Sequence, residues 1–385
     1  MMERPQLRLF FGFSVFAWVT LFLTYLDYRY TLIPRFSYHQ GKVSEELFIR
    51  KFGHVYPNST RKTKQILLWT GFFDSPKMWD SLMNNNLQRC SFSCVATTNR
   101  QYLHLSDAIM FHEADIDFQD LPGLRVHHQP WVLFTLEPTT LVKKNYKWFN
   151  QVFNWTMSYR NHSTVLGKYG TYGLKRDKEK VEPVSLQNKN KTMFAAISNC
   201  HDAGRRFKLI KKISEYIDVD QYGRCSPNKC VYFNGPCLTK EKLALYKFKL
   251  AFENSHCRNY VTEKYWQALE MSANYIPIVN WIDGQKHPNV IPNSYINFYD
   301  FKNIEEFINH IRKVSSNETL FKQYFEWRNK FSLVASDMYC KLCEKLHKPY
   351  QAQVYDDLGG WFNEDTCTKY SVSNKSISYC IVEIK

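Results

Sequence analysis

From about residue 62 onward, short apolar runs alternate with longer mixed segments. Gln65–Trp69 (QILLW), Asp107–Phe111 (DAIMF) and Trp131–Leu136 (WVLFTL) are of strand length and almost wholly apolar, the pattern of strands buried on both faces. Long mixed stretches, not tight turns, separate them, which predicts a parallel α/β layer over residues 62–172. Gly173–Lys191 is polar and highly charged with no periodic apolar face, and is read as a linker over 173–191.

A second domain is expected over 192–350. It opens with a buried strand at Met193–Ile197, followed by a helix over Arg206–Ile217 whose Phe207, Ile210, Ile213 and Ile217 share one face. In Lys247–Glu253 the residues Phe248, Leu250 and Phe252 alternate with polar or small ones, as a strand requires. After a loop over Asn254–Tyr260, Val261, Tyr265, Trp266 and Leu269 switch to helical spacing, and Tyr275–Val279 returns to a strand. That is a βαβ unit. Further amphipathic helices are expected at Ile304–Ile311 and through Leu320, Tyr324, Trp327 and Phe331.

The amino terminus carries a different signal. Leu9–Leu26 runs 18 residues without a charge, about 27 Å as a helix and close to the thickness of a thin bilayer. No small-residue cleavage site follows, and Tyr25, Tyr28 and Tyr30 suit a membrane interface. The expectation is an uncleaved signal anchor at 9–26 behind a cytoplasmic tail at 1–8, with a stem over 27–61 and a carboxy-terminal tail over 351–385. Six N-x-S/T sequons, at Asn58, Asn154, Asn161, Asn190, Asn317 and Asn374, all follow the anchor. With 11 cysteines in the chain, they favour a glycosylated body in an oxidising lumen.

At 385 residues, 44% hydrophobic with only 14 Gly and 14 Pro, the chain is neither disordered nor collagen-like. Its net charge of +15 is scattered and mixed with acids, which with a lumenal address and no groove-reading motif excludes nucleic acid as the expected partner. Anionic substrates such as sugar nucleotides stay open.

Candidate chemistry collects where the second domain's strands end, the usual ligand position in open α/β sheets. Glu253 and Asn254 follow one strand, Glu263 and Lys264 begin the next helix, and Arg206 occupies the matching place after the preceding strand. Two cations converging there could hold a diphosphate. No Gly-rich phosphate loop accompanies them, and charged residues in a first turn are commonly just solvated.

The stretch Tyr246–Ser255 (YKFKLAFENS) followed by Tyr260–Lys264 (YVTEK) resembles the signature of the α1,3/4-fucosyltransferases, glycosyltransferase family 10. Phe153–Arg160 (FNWTMSYR) with Tyr169 and Gly170, Ser198 and Asn199 before Arg206, Pro292–Asn297 (PNSYIN) with Asp300 and Phe301, and Cys340-x-x-Cys343 resemble family features in the same order. The resemblance spans roughly residues 64–346. It implies a GT-B fold, two facing Rossmann-like domains with the active site between them. It also implies a Golgi type II membrane enzyme that transfers L-fucose from GDP-fucose to a GlcNAc hydroxyl of glycoprotein glycans with inversion.

Position by position, Arg206 and Lys264 resemble the residues that hold the donor diphosphate, Glu263 resembles a contact to the nucleotide ribose, and Glu253, Asn254 and Tyr260 belong to the donor pocket. Glu137, at the end of the Trp131–Leu136 strand, resembles the family's proposed base; His112, His127 and His128 are weaker alternatives. Cations at the diphosphate replace a metal, so no cofactor is expected and any Mn2+ effect would be a non-essential stimulation. The pairs Asp115-x-Asp117 and Asp218-x-Asp220 look like a metal-binding DxD, though such pairs arise readily by chance.

Cys90, Cys94, Cys340 and Cys343 could form a zinc site or two disulfides on spacing alone. The resemblance implies crossing bridges that tie the chain's end to the first domain. Cys200 and Cys257 follow neighbouring strands and could pair. Acceptor identity, core or antennary GlcNAc, is not encoded in these motifs, and a catalytically inactive GT-B binding protein or a fucosyltransferase acting on protein acceptors are the competing readings.

Overall fold

The computed structural model describes residues 62–363 and Cys367, apart from 124, 127, 142–145, 177–180, 182, 228–237, 271–273 and 282–289. The expected anchor Leu9–Leu26, the tail 1–8, the stem 27–61, His127, Asn58 and Asn374 therefore lie outside the described residues. Among the described residues no helix is long and apolar enough to cross a membrane.

The chain forms two parallel sheets. Strands β1 (Lys64–Leu68), β2 (Cys94–Thr97), β3 (Ala108–His112), β4 (Trp131–Thr135), β5 (Trp155–Ser158) and β6 (Val165–Leu166) build the first, in the order β2-β1-β3-β4-β5-β6. After β7 (Thr171–Leu174), the second sheet is made by β8 (Lys191–Ala196), β9 (Val219–Tyr222), β10 (Tyr246–Leu250), β11 (Ile276–Val279) and β12 (Ile296–Asn297), in the order β12-β11-β10-β8-β9. Every pairing within these two sheets is parallel. A last strand, β13 (Phe331–Val334), pairs antiparallel with β7, Phe331 opposite Leu174 and Val334 opposite Thr171.

Alternation along β3 and β4 sorts side chains to the two faces of the first sheet. Ala108, Met110, Val132 and Phe134 join the core under α1 (Pro76–Leu87), whereas Ile109, Phe111, Trp131 and Leu133 join the opposite core. Helix α1 starts cleanly because Ser75 accepts the Met78 N–H and a proline opens its first turn. In the second sheet, α2 (Arg206–Ser214), α5 (Ile304–Ser316) and α6 (Glu318–Gln323) cover one face through Ile213, Phe307, Ile311 and Phe321. The short α3 (Lys240–Ala244) and α4 (Glu263–Glu270) place Leu243, Tyr265, Trp266 and Ala268 in the cores of the other.

Several expectations are corrected. The helix expected through Leu320 and Phe331 is the short α6, a 3-10 turn at Glu326–Asn329 and then β13. Phe331 leaves the helix to stack edge-on against Tyr172, 5.1 Å away on β7, and β7 itself occupies the start of the stretch read as a linker. The second domain does not simply end at 350. Helix α7 (Met338–His347) crosses back and buries Met338, Tyr339, Leu342 and Leu346 with α1 in the first sheet's core, each buried apolar side chain contributing about 1.5–3 kcal/mol. Part of the expected tail is also core: α8 (Leu358–Asn363) buries Leu358 and Phe362 against the first sheet's other face.

Disulfides fasten this return. Cys90 bonds Cys340 and Cys94 bonds Cys343, joining α7 to the first domain. Those four sulfurs are therefore not thiolates, and the zinc alternative does not fit them, although His347 lies beside Cys94 and Cys343. Cys200 does not pair with Cys257: it bonds Cys225, and Cys257 bonds Cys367.

Candidate active site

The carboxyl ends of β4 and β10 meet. Glu137 lies two residues beyond β4, its N–H donating to Thr135 Oγ1 at 3.2 Å. Three residues further along, the Thr140 hydroxyl is 2.6 Å from that of Ser255 in the loop after β10. Glu253, Asn254 and Tyr260 on that loop are all buried, as is Arg206 at the start of α2.

Glu253 is the hub of the second sheet's contribution. Its carboxylate accepts from the Thr262 N–H at 2.8 Å and from the Thr262 hydroxyl, and it lies 3.3 Å from the Lys264 ammonium. Lys264 also donates to Thr262 Oγ1 at 2.8 Å and to Glu263 at 3.0 Å. A cation in the first turn opposes the helix dipole; here two carboxylates compensate it. Burial acts to lower the Lys264 pKa, but Glu253 and Glu263 outweigh it and hold the ammonium charged. Burial likewise acts to raise Glu263, and Lys264 holds it below the usual range.

Glu137 joins this network across the seam. Burial raises its pKa above the ordinary 4.5; Lys264 opposes the rise, and the Glu263 and Glu253 charges add to it. The first-sheet carboxyl is thus close enough to feel all three charges at the head of α4. Tyr159, Tyr169 and Tyr260 wall the junction, Tyr159 and Tyr260 with ring centroids 5.1 Å apart and Tyr169 donating to the Leu136 carbonyl at 2.9 Å.

Arg206 and Lys264 share this edge of the sheet and feel one another's charge. Their exposure differs. Arg206 is 1% exposed, and its guanidinium donates to the Asn199 carbonyl and sits 3.8 Å from Asp202. Asp202 also caps α2 by accepting the N–H groups of Arg206 and Phe207 at 2.7 and 3.0 Å. Arg206 therefore shapes the 199–202 loop, while its neighbour Arg205 is exposed in a left-handed conformation. Asn254 Oδ1, buried, is an acceptor with no hydrogen-bond partner among the described side-chain atoms.

The remaining candidates are engaged elsewhere. His112 contacts Asp115 within an aromatic nest of Phe72, Phe73 and Phe134, and His128 packs on Tyr350. Asp115 accepts the N–H groups of Phe73 and Asp74, Asp117 that of Gln119, and Asp220 binds Lys191 and Tyr246, so a carboxylate of each DxD pair is already committed. A cavity of about 220 Å³ at the ends of β1 and β3 is lined by Trp69, Arg100 and Asp120, among others, but Arg100 is paired with Asp120 and stacked over Trp69. None of the residues lining it belongs to the Glu137–Lys264 network.

Of the described sequons, Asn161, Asn190 and Asn317 are exposed. Asn154 is corrected: it is buried, its Oδ1 accepts the Trp131 N–H at 2.8 Å and its Nδ2 donates to the Gln353 carbonyl at 2.8 Å. A glycan on that nitrogen would displace the bond to Gln353.

Lys249 was not singled out in the sequence. It sits on β10 facing α4, 5% exposed, and its ammonium donates to the Lys264 carbonyl at 3.1 Å. Strand alternation assigned it to a polar face; burial of β10 on both faces puts it under the site.

Comparison with known proteins decides the family. Residues 61–170 match the model described as "Fucosyltransferase, N-terminal", and residues 186–361 match "Glycosyltransferase family 10 (fucosyltransferase) C-term". The chain is a family 10 fucosyltransferase. This fucosyltransferase is 30% identical to alpha-(1,3)-fucosyltransferase C of Drosophila melanogaster over 78% of each chain. It is 29% identical to alpha-(1,3)-fucosyltransferase fut-5 of Caenorhabditis elegans over 95% of this chain and 98% of the relative. A crystal structure of an alpha1,3-fucosyltransferase with GDP-fucose shares the α/β fold, with a TM-score of 0.52 at 18% identity over 77% of this chain and 94% of the other.

Proposed function

We propose that this fucosyltransferase moves L-fucose from GDP-fucose to a GlcNAc hydroxyl of glycoprotein glycans, forming an α1,3 linkage with inversion at the sugar carbon. The observation that carries the reading is the meeting of the Glu137 loop of the first sheet with the loop after β10 of the second, where the Thr140 and Ser255 hydroxyls are 2.6 Å apart and Glu137 feels Lys264, Glu253 and Glu263. A base and a cation on opposite walls of one seam are what a single displacement needs.

In that displacement the Glu137 carboxylate takes the acceptor hydroxyl's proton as the oxygen attacks the fucose carbon from the face opposite GDP. The carbon–oxygen bond to the β-phosphate breaks and its electron pair stays with GDP. Burial makes Glu137 a stronger base once ionised. Negative charge growing on the diphosphate is met by Lys264, already charged, and an electrostatic contact of this kind is worth about 3–4 kcal/mol. Arg206 adds its field and the loop it shapes, with Arg205 at the loop's exposed end. Asn254 Oδ1, a buried acceptor, suits a donor hydroxyl or amine, with Tyr260 buried on the same loop and Glu263 at the head of α4 as further donor contacts.

The reading extends to a GT-B pair of domains facing across the seam, metal-independent chemistry and a Golgi membrane anchor at Leu9–Leu26 with the body lumenal. The test is the full chain in membranes of expressing cells, assayed with GDP-fucose against core and antennary GlcNAc glycans, with linkage analysis, and repeated with a chelator. Transfer to a GlcNAc O3 that survives chelation supports the reading; no transfer to any acceptor by correctly folded protein overturns it.

A further inference from the structure

The last described residue of the chain reaches the site. Helix α8 is held on the first domain: Leu358 and Phe362 are buried with Phe111, Phe149 and Phe153, and the Arg160 guanidinium lies 4.4 Å from the Trp361 ring. Five residues beyond Phe362, Cys367 is bonded to Cys257 in the loop that also carries Glu253, Asn254 and Tyr260. One short piece of chain thus starts in the core of the first domain and ends as a covalent bond to the donor-side loop of the second.

The bond lies at the seam itself. Cys257 and Cys367 are buried in a small cluster with Tyr159 and Tyr260, Tyr169 packed against it. Thr139, two residues from Glu137, has its hydroxyl 3.3 Å from Cys367 Sγ. The neighbouring Thr140–Ser255 hydrogen bond crosses between the same two loops. Cys367 falls beyond residue 361, where the family match ends, while its partner Cys257 lies within it.

We infer that Cys367 is a positioning residue: through its bond to Cys257 and its contact with Thr139 it holds the Tyr260 loop to the Glu137 loop and sets their separation. The inference rests on the proposed displacement, in which a base on one loop must face a donor held by the other. A bond buried beside both loops removes freedom that substrate binding would otherwise have to restrain. The expected consequence of slackening it is a loss in turnover larger than any loss of fold, since misplacing a base by about 1 Å can cost a hundredfold.

Three measurements on the full chain test this. A non-reduced digest should yield a peptide linking Cys257 to Cys367; its absence overturns the inference. Cys257→Ala/Cys367→Ala keeps the described bonds at Cys90, Cys94 and Cys200, and should lower kcat at least tenfold, with faster hydrogen exchange at 137–141 and 254–262 together. A folded variant with unchanged kcat and unchanged exchange overturns it. Should that variant fold poorly, inserting four Gly/Ser residues between Asn363 and Cys367 leaves the bond and both cores in place while lengthening the strap. It should reproduce the drop in kcat with little change in Tm, whereas full turnover with the lengthened segment assigns the bond to stability alone and overturns the inference. Linkage and exchange are read without substrate, so failure of the fucosyl-transfer reading is seen separately in the wild-type assay.

Discussion

Lys264 and Glu253 form an ion pair with one wet side. Their charged atoms are 3.3 Å apart, yet the lysine side chain is 24% exposed and the glutamate 1%. The carboxylate is fixed from below by Thr262, so the ammonium has a rigid counter-ion behind it while part of the lysine side chain reaches solvent. Breaking such a pair from one end leaves a buried charge, at a cost of about 3–5 kcal/mol.

That asymmetry separates binding from stability. Lys264→Met should raise the KM for the sugar-nucleotide donor at least tenfold and lower Tm. Adding Glu253→Gln removes the stranded charge, so the double variant should recover most of the Tm and none of the donor KM. Thermal melts and initial rates on the four proteins of the cycle check this; recovery of KM in the double variant would mean Lys264 acts only structurally.

Glu137→Gln should reduce transfer by a thousandfold or more while leaving GDP binding within about threefold. Its stability effect runs the other way. The folded carboxyl titrates above 4.5 because it is partly buried, so its ionised form costs stability at neutral pH. Glutamine removes that cost: the variant should melt higher at pH 7, with the advantage shrinking as pH falls through the folded pKa towards 4.5. Melting curves across that range provide the check.

Burial lowers the Lys249 pKa to about 8, despite the favourable charges of Glu263 and Glu253, with Lys264 adding to the fall. Below about pH 8 the folded protein bears the cost of a charged buried ammonium. Between about 8 and the ordinary 10.5 the unfolded chain binds the extra proton, so this contribution to stability improves with rising pH. Lys249→Met should therefore stabilise most at pH 7 and progressively less towards pH 10, as read by denaturant midpoints.

Gly170 follows β6 and faces α4. A Cβ there would lie 2.3 Å from the Trp266 ring, so Gly170→Ala must push the indole, and α4 with it, or shift the seam. Overpacking of this kind costs about 1–3 kcal/mol, and donor KM should rise along with it. Unchanged melting and kinetics would show that Trp266 yields freely.

The βαβ unit holding Lys264 was legible because its apolar period changes from two to 3.6 within twenty residues, and the buried runs at Ile66, Ile109 and Val132 announced the first sheet. Glu137 carried no local signal of its own beyond its place after a strand; the family resemblance singled it out. Other features were hidden for physical reasons. Phe331 keeps helical spacing from Trp327, yet its ring is committed to Tyr172 across an antiparallel ladder, a tertiary contact that periodicity does not contain. Asn154 satisfies a sequon by composition, but its amide serves as a buried bracket between Trp131 and Gln353. The Cys257–Cys367 bond joins residues 110 positions apart, and spacing along a chain says little about such pairs.

The return of α7 to the first sheet reverses the order in which the molecule can be finished. As the polypeptide emerges during synthesis, residues 62–172 have α1 but lack α7, the second helix packed on the core of Ile66, Met110 and Phe134, and Cys90 and Cys94 have no partners until residues 340 and 343 follow. The later domain has its helices close at hand and can close first. The earlier one must wait with part of that apolar face uncovered and two cysteines unpaired.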